Sequence, residues 1–108
     1  MQPQTYKTQS DMVPPDYCIP VVITTAHRGV FFGYIAPSDE CNKTLVVWRC
    51  RNCLSWASDS KGFLGLGAVG PIGEARIGPA VRRIILHDVT AIFDVEPAAV
   101  LVWETAPF

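Results

Sequence analysis

The sequence predicts a mainly β, small α+β domain: a compact antiparallel sheet or partly closed barrel with one short C-terminal helix. Three observations lead there. Residues 19–25 (IPVVITT) and 30–35 (VFFGYI) are rich in β-branched and aromatic side chains and flank a stretch with turn chemistry, His27-Arg28-Gly29. Two further extended runs follow, TLVVWRC and VRRIILHDVTAIFDV. Pro97 and Pro107 bracket the one stretch that reads as a helix, AAVLVWETA, with Ala99, Val100 and Trp103 on one side of it.

Taken in order, residues 1–17 are polar, contain Pro14-Pro15 and read as a flexible arm, leaving 18–108 as a single β-rich domain. The first two strands form a hairpin. PSDECNK is a loop of turn formers, and TLVVWRC is a third strand. RNCLSWASDSKG either prolongs that strand or makes a short helical turn; spacing leaves both open over 52–60. Residues 61–79 hold six of the eight glycines and read as an irregular loop. VRRIILHDVTAIFDV is one bent strand or a hairpin, with Val89, Ala91, Phe93 and Val95 alternating as an inward face.

Composition narrows the function classes. With 108 residues, 49% hydrophobic and 18% charged, the chain has enough apolar material for a real core and a sparsely charged surface, which favours a homo-oligomer. A net charge of −1 supplies no field for nucleic acid or for an anionic membrane. The apolar runs are too short to span a bilayer, and MQPQTYKTQSDMVPPD has neither a charged n-region nor an apolar h-region. The expectation is a cytoplasmic protein.

Two motifs invite chemistry and fail on their surroundings. GLGAVG, Gly65 to Gly70, has the spacing of a dinucleotide fingerprint, which needs a strand before it and a helix after it. Pro71 is tolerable in a first helical turn, but Gly73, Gly78 and Pro79 leave no uninterrupted stretch for a crossover helix. Cys50 and Cys53 make a single C-x-x-C, whereas a structural zinc site needs a second knuckle or a spaced histidine pair, and only His27 and His87 are present. Reduced cysteines acting as small hydrophobes are the simpler reading, with no metal and no cofactor. Arg49 and Arg51 would favour a thiolate nearby, which keeps a thiol/redox protein as an alternative.

The residues that remain point to an anion. Arg49 and Arg51 alternate on a strand and share a face with no acidic neighbour in sequence. Arg28 tips the hairpin, and Arg76 and Lys61 lie in the glycine-rich loop. Trp56 supplies a stacking surface, and Gly65 and Gly67 offer backbone N–H groups for an anion nest. Nothing in the spacing favours a catalytic constellation, so the chain reads as a non-enzyme.

VVITTAHRGVFFGYI, CLSWASDSKGFLGLGAVGP and the closing stretch from GPAVRRIIL to VWETAPF together resemble a family of small proteins carried by bacteriophages and prophages. The H-R-G-V-F-x-G-Y hairpin and the terminal W-E-x-A-P-F are the most distinctive parts. The resemblance implies a phage setting, in which small proteins serve as inhibitors of host defence. Combined with the arginines, it leads to an expectation of anti-defence ligand sequestration. The protein would hold a phosphate-bearing small molecule, a nucleotide second messenger of antiviral immunity. The alternative is an inhibitor that binds a host protein through an apolar patch or a strand edge.

Overall fold

The computed structural model describes residues 14–26, 29–56, 64–73 and 75–108. Its elements are β1 (Ile19–Thr25), β2 (Val30–Ile35), β3 (Leu45–Ser55), the one-turn helix α1 (Gly65–Ala68), β4 (Arg76–Ile77), β5 (Val81–Leu86), β6 (Val89–Asp94) and α2 (Pro97–Thr105), with a 3-10 turn at Pro37–Asp39. They form an open six-stranded antiparallel sheet with a short C-terminal helix, so the mainly β reading holds.

The sheet runs β4-β3-β2-β1-β6, and β5 lies beside the first half of β3. β3 is the spine. Its N-terminal half pairs with β5 through Leu45↔Leu86 and Val47↔Ile84, and its far end pairs with β4 through Cys53↔Ile77. The strand therefore forks between two partners. It also resolves the first part of the ambiguous stretch: β3 continues through Asn52 to Ser55, while residues 57–63 lie outside the described part.

β5 and β6 are neither one strand nor a hairpin. His87 and Asp88 separate them, with Asp88 at φ 56°, and their ladders run to β3 and to β1. Two elements two residues apart in sequence thus serve opposite sides of the sheet. The sheet must curl until its sides approach at that corner, where Val89 N–H donates to Lys43 O and Ala26 N–H to Asp88 O.

Both faces are covered. Val21, Val22 and Ile23 are consecutive and fully buried because successive side chains on β1 enter different cores. Val22 joins Phe32, Cys53, Leu66, Ala99 and Trp103 under α2. Val21 and Ile23 join Ile35, Leu45, Val47 and Cys50 on the other face. The even alternation expected along β6 breaks at its start. Val89 packs with Ile92 in the second core, whereas Phe93 and Val95 pack in the first. The cause is a bulge: Thr24 faces Ala91 but Thr25 faces Val89, so β6 carries one extra residue there.

Candidate functional site

α2 places most of the chemistry. Pro97 starts it at a position where a missing N–H costs nothing, and Glu96 N–H is taken by Gly67 O at 2.8 Å. Trp103 is its buried centre. The indole stacks on Phe32 at 5.0 Å and 8°, and its Nε1 donates to Leu66 O at 2.9 Å, satisfying a carbonyl of α1. Ala99 and Trp103 lie buried against the sheet with Val100 beside them, as the phasing implied.

The two strand arginines meet the C-terminal end of this helix. Trp103 O would find an intrahelical donor at residue 107, but Pro107 has none. Arg51 Nη1 takes that place at 2.7 Å, while Arg51 Nε donates to Gly78 O at 2.8 Å. The side chain is 5% exposed, and Nη2 is buried without a partner among the described residues. Burial pulls the Arg51 guanidinium below its ordinary pKa; Glu104 opposes this and Arg49 adds to it. A cation at a helix C-terminus also gains from the macrodipole. Arg49 sits at φ 51° in a bulge of β3, where Phe32↔Arg51 gives way to Tyr34↔Trp48. Its Nε donates to Glu104 Oε2 at 2.7 Å, and Tyr34 OH donates to Glu104 Oε1 at 2.9 Å. Both arginines thus reach the helix side together, as their spacing implied, and there they engage protein groups.

Gly65 and Gly67 lie in the single turn of α1. Gly67 N–H donates to Leu64 O, and a Cβ on Gly67 would meet Asp94 O at 2.6 Å and the Phe93 ring at 2.8 Å. Gly65 O accepts from Val69 and Gly70. These residues let a single helical turn lie against β6. Trp56 is 39% exposed just beyond Ser55, whose cross-strand partner is the exposed Arg76, so that pair lies at the outer end of the β3–β4 ladder. Arg28 and Lys61 fall outside the described residues.

Cys50 and Cys53 belong to different cores, on opposite faces of the sheet, because an odd spacing on a strand reverses direction. A dithiol or a two-cysteine knuckle needs both sulfurs on one side. Burial pushes the Cys50 thiol up to about 12 and the Cys53 thiol up to about 11, the latter partly offset by the Ser55 backbone.

One cluster escaped the reading of the sequence. Arg82 and Arg83 both carry their guanidinium groups over the Trp48 ring, at 5.4 and 5.8 Å from its centroid. Strand neighbours point to opposite sides, which argues against a shared site for them. The long side chains overcome that, and the register Trp48↔Arg83 brings the ring beneath them. No signal in the sequence supplies that register. Two positive charges and a half-buried indole thus meet on the sheet surface, next to Tyr34, Arg49 and Glu104.

The model of a domain of unknown function, DUF6948, matches residues 19–103. The chain belongs to this family. No curated protein and no solved structure matches it. The DUF6948 match starts at the first residue of β1 and ends at Trp103, so it takes in the whole sheet and the residue that locks α2 to it.

Proposed function

We propose that this DUF6948 protein is a non-enzymatic binding protein that sequesters a phosphate-bearing small molecule on the face formed by Trp48, Arg82 and Arg83. The observation that carries the reading is the convergence of two guanidiniums on one indole. Guanidinium groups suit phosphate oxygens through paired N–H donors, and the indole suits a planar ring. Arg76 and Trp56 offer a smaller pair of the same chemistry at the end of the β3–β4 ladder. Binding without turnover accords with two buried thiols whose raised pKa values keep them protonated and poorly nucleophilic. The resemblance to phage proteins supplies the setting: the ligand is a nucleotide second messenger of antiviral defence, held in the host cytoplasm by a homo-oligomer.

The experiment is a titration of the purified protein with cyclic and linear adenine nucleotides, read by tryptophan fluorescence and by melting temperature. A saturable change with one nucleotide, lost in Arg82→Ala/Arg83→Ala, is the expected result. A flat panel at millimolar nucleotide, or an undiminished response in that variant, overturns the reading.

A further inference from the structure

β5 presents an exposed strand edge. β3 takes one side of it, and no strand pairs with the other side among the described residues. The other outer strands are blunted: β4 has two residues, and β6 is bulged at its start. β5 has six residues in unbroken register, with no proline inside. Val81 and Ile85 are 45% and 46% exposed. Beside Val81, where β3 forks, lies a depression of about 200 Å³ lined by Phe31, Cys50, Asn52, Pro79, Val81 and Ile84. Its walls are mainly apolar, and the Cys50 thiol stays neutral there because burial raises its pKa. The strand VRRIIL carries two positive charges and no negative one.

We infer that the β5 edge accepts an extended acidic segment of another protein by strand addition, with one apolar side chain of that segment anchored in the depression at the β3 fork. Each part of the partner's chemistry follows from a feature of the edge. Unpaired main-chain groups call for an extended backbone, since strand addition satisfies them two residues at a time. An apolar depression of this size suits a single Leu- to Phe-sized side chain; an engineered cavity of about 150 Å³ holds benzene. Arg82 and Arg83 lie over the adjacent ladder, about 5 Å from the edge by the spacing of paired strands, within reach of carboxylates on the incoming segment. A basic segment would be repelled by the same pair. This inference shares Arg82 and Arg83 with the nucleotide reading, but it adds the backbone of β5 and the depression at the β3 fork, which that reading does not use.

The test uses the full chain and three fluorescein-labelled heptapeptides, read by polarisation. The first alternates glutamate and valine around a central phenylalanine. The second replaces each glutamate by lysine. The third is the acidic peptide N-methylated at alternate residues, which removes the donors facing the sheet. Saturable binding of the first, at least tenfold weaker for the other two, is expected, and Ile84→Trp or Val81→Trp, which crowd the depression, should weaken it at least fivefold while circular dichroism stays unchanged. Arg82→Glu/Arg83→Glu should reverse the preference towards the lysine peptide. Failure of the acidic peptide to bind at millimolar concentration overturns the inference. So does equal binding of the N-methylated peptide, which would reduce the contact to charge attraction. Self-association through this edge, seen as a dimer by sedimentation that Ile85→Lys dissociates and that the acidic peptide leaves intact, overturns it in favour of a second copy. Nucleotide-induced fluorescence changes have no bearing on these outcomes, so the two proposals fail separately.

Discussion

Arg51 and Trp103 form a reciprocal lock between the sheet and α2. The guanidinium donates to the Trp103 carbonyl at 2.7 Å, replacing the N–H that Pro107 lacks, while the Trp103 ring stacks on Phe32 two strand positions from β3's bulge. Removing the guanidinium strands two carbonyls, the buried one of Trp103 and the part-buried one of Gly78. Arg51→Met should therefore lower unfolding free energy by about 3 kcal/mol, in the range for hydrogen bonds to charged groups, with Arg51→Lys recovering little because an ammonium on a single stem cannot span both acceptors. Urea denaturation checks this. A loss under 1 kcal/mol would show that α2 is held by its apolar face alone.

Glu104 joins Arg49 and Tyr34 at the same helix end, at 2.7 and 2.9 Å. The ion pair is about four-fifths shielded from solvent on each side. Glu104→Gln keeps the shape but turns a charge-assisted contact into a neutral one, and it should cost roughly 1 kcal/mol, close to the upper end for pairs at a surface. The cost should shrink in high salt by only a small part, since a shielded pair is weakly screened. A melting series in 0.05 and 1 M sodium chloride on both proteins gives the comparison.

The strands were legible in the residues because β-branched runs and turn formers alternate cleanly, and α2 was legible because prolines bracket it. What the residues of β3 could not disclose is where its register lies. Trp48 meets Arg83 only because β5 pairs with the first half of β3, and Cys50 and Cys53 separate only because the chain is extended there. The shared face of Arg49 and Arg51 was readable from spacing. Their partners, Glu104 and the Trp103 carbonyl, lie more than fifty residues away in sequence and were not.

Alkaline stability follows from the thiols. Cys50 and Cys53 have an ordinary value of 9.0 and rise to about 12 and about 11 in the folded chain, mainly through burial. Folded-state values above the unfolded ones mean that the native state holds these protons more tightly. The stabilisation is complete below pH 9 and is lost as pH rises towards the folded values. Between pH 9 and 11 the unfolding free energy should fall with a slope approaching 1.4 kcal/mol per unit for each thiol. Cys50→Val should remove one thiol's share of that slope. Chemical denaturation at pH 8, 9, 10 and 11 measures it, and an unchanged slope in the variant would contradict the burial argument.

Close approach of α1 to β6 makes Gly67 irreplaceable. An added methyl meets Asp94 O at 2.6 Å and Phe93 at 2.8 Å, and a backbone oxygen cannot step aside. Gly67→Ala should destabilise by roughly 1–3 kcal/mol. Gly78 is the control: the nearest atom to its added methyl is 3.7 Å away, so Gly78→Ala should be nearly neutral. Equal melting temperatures for the two variants would contradict the contact.

Ligand binding gives the sharpest separation between arginines that hold the fold and arginines that hold an anion. Arg51 is buried on carbonyls and Arg49 is paired to Glu104, so replacing either should act first on stability. Arg83 is exposed and lies over Trp48 on the open face, so Arg83→Ala should leave the unfolding free energy of the protein alone within about 0.5 kcal/mol of the parent, as surface changes do. It should weaken nucleotide binding by roughly 1.5–3 kcal/mol, the worth of a hydrogen bond to a charged group, and Arg83→Lys should restore only part of this. Trp48→Leu should remove the ligand-induced fluorescence change, leaving the emission of Trp56 and of buried Trp103 as the background. Raising salt should weaken binding steeply, because the cluster faces solvent and its charges are screened over about 10 Å at 0.1 M. If Arg51→Met and Arg83→Ala lose affinity equally once each is measured well below its own melting temperature, the ligand touches the lock beneath α2 as well, and the open face of Trp48 is not the site.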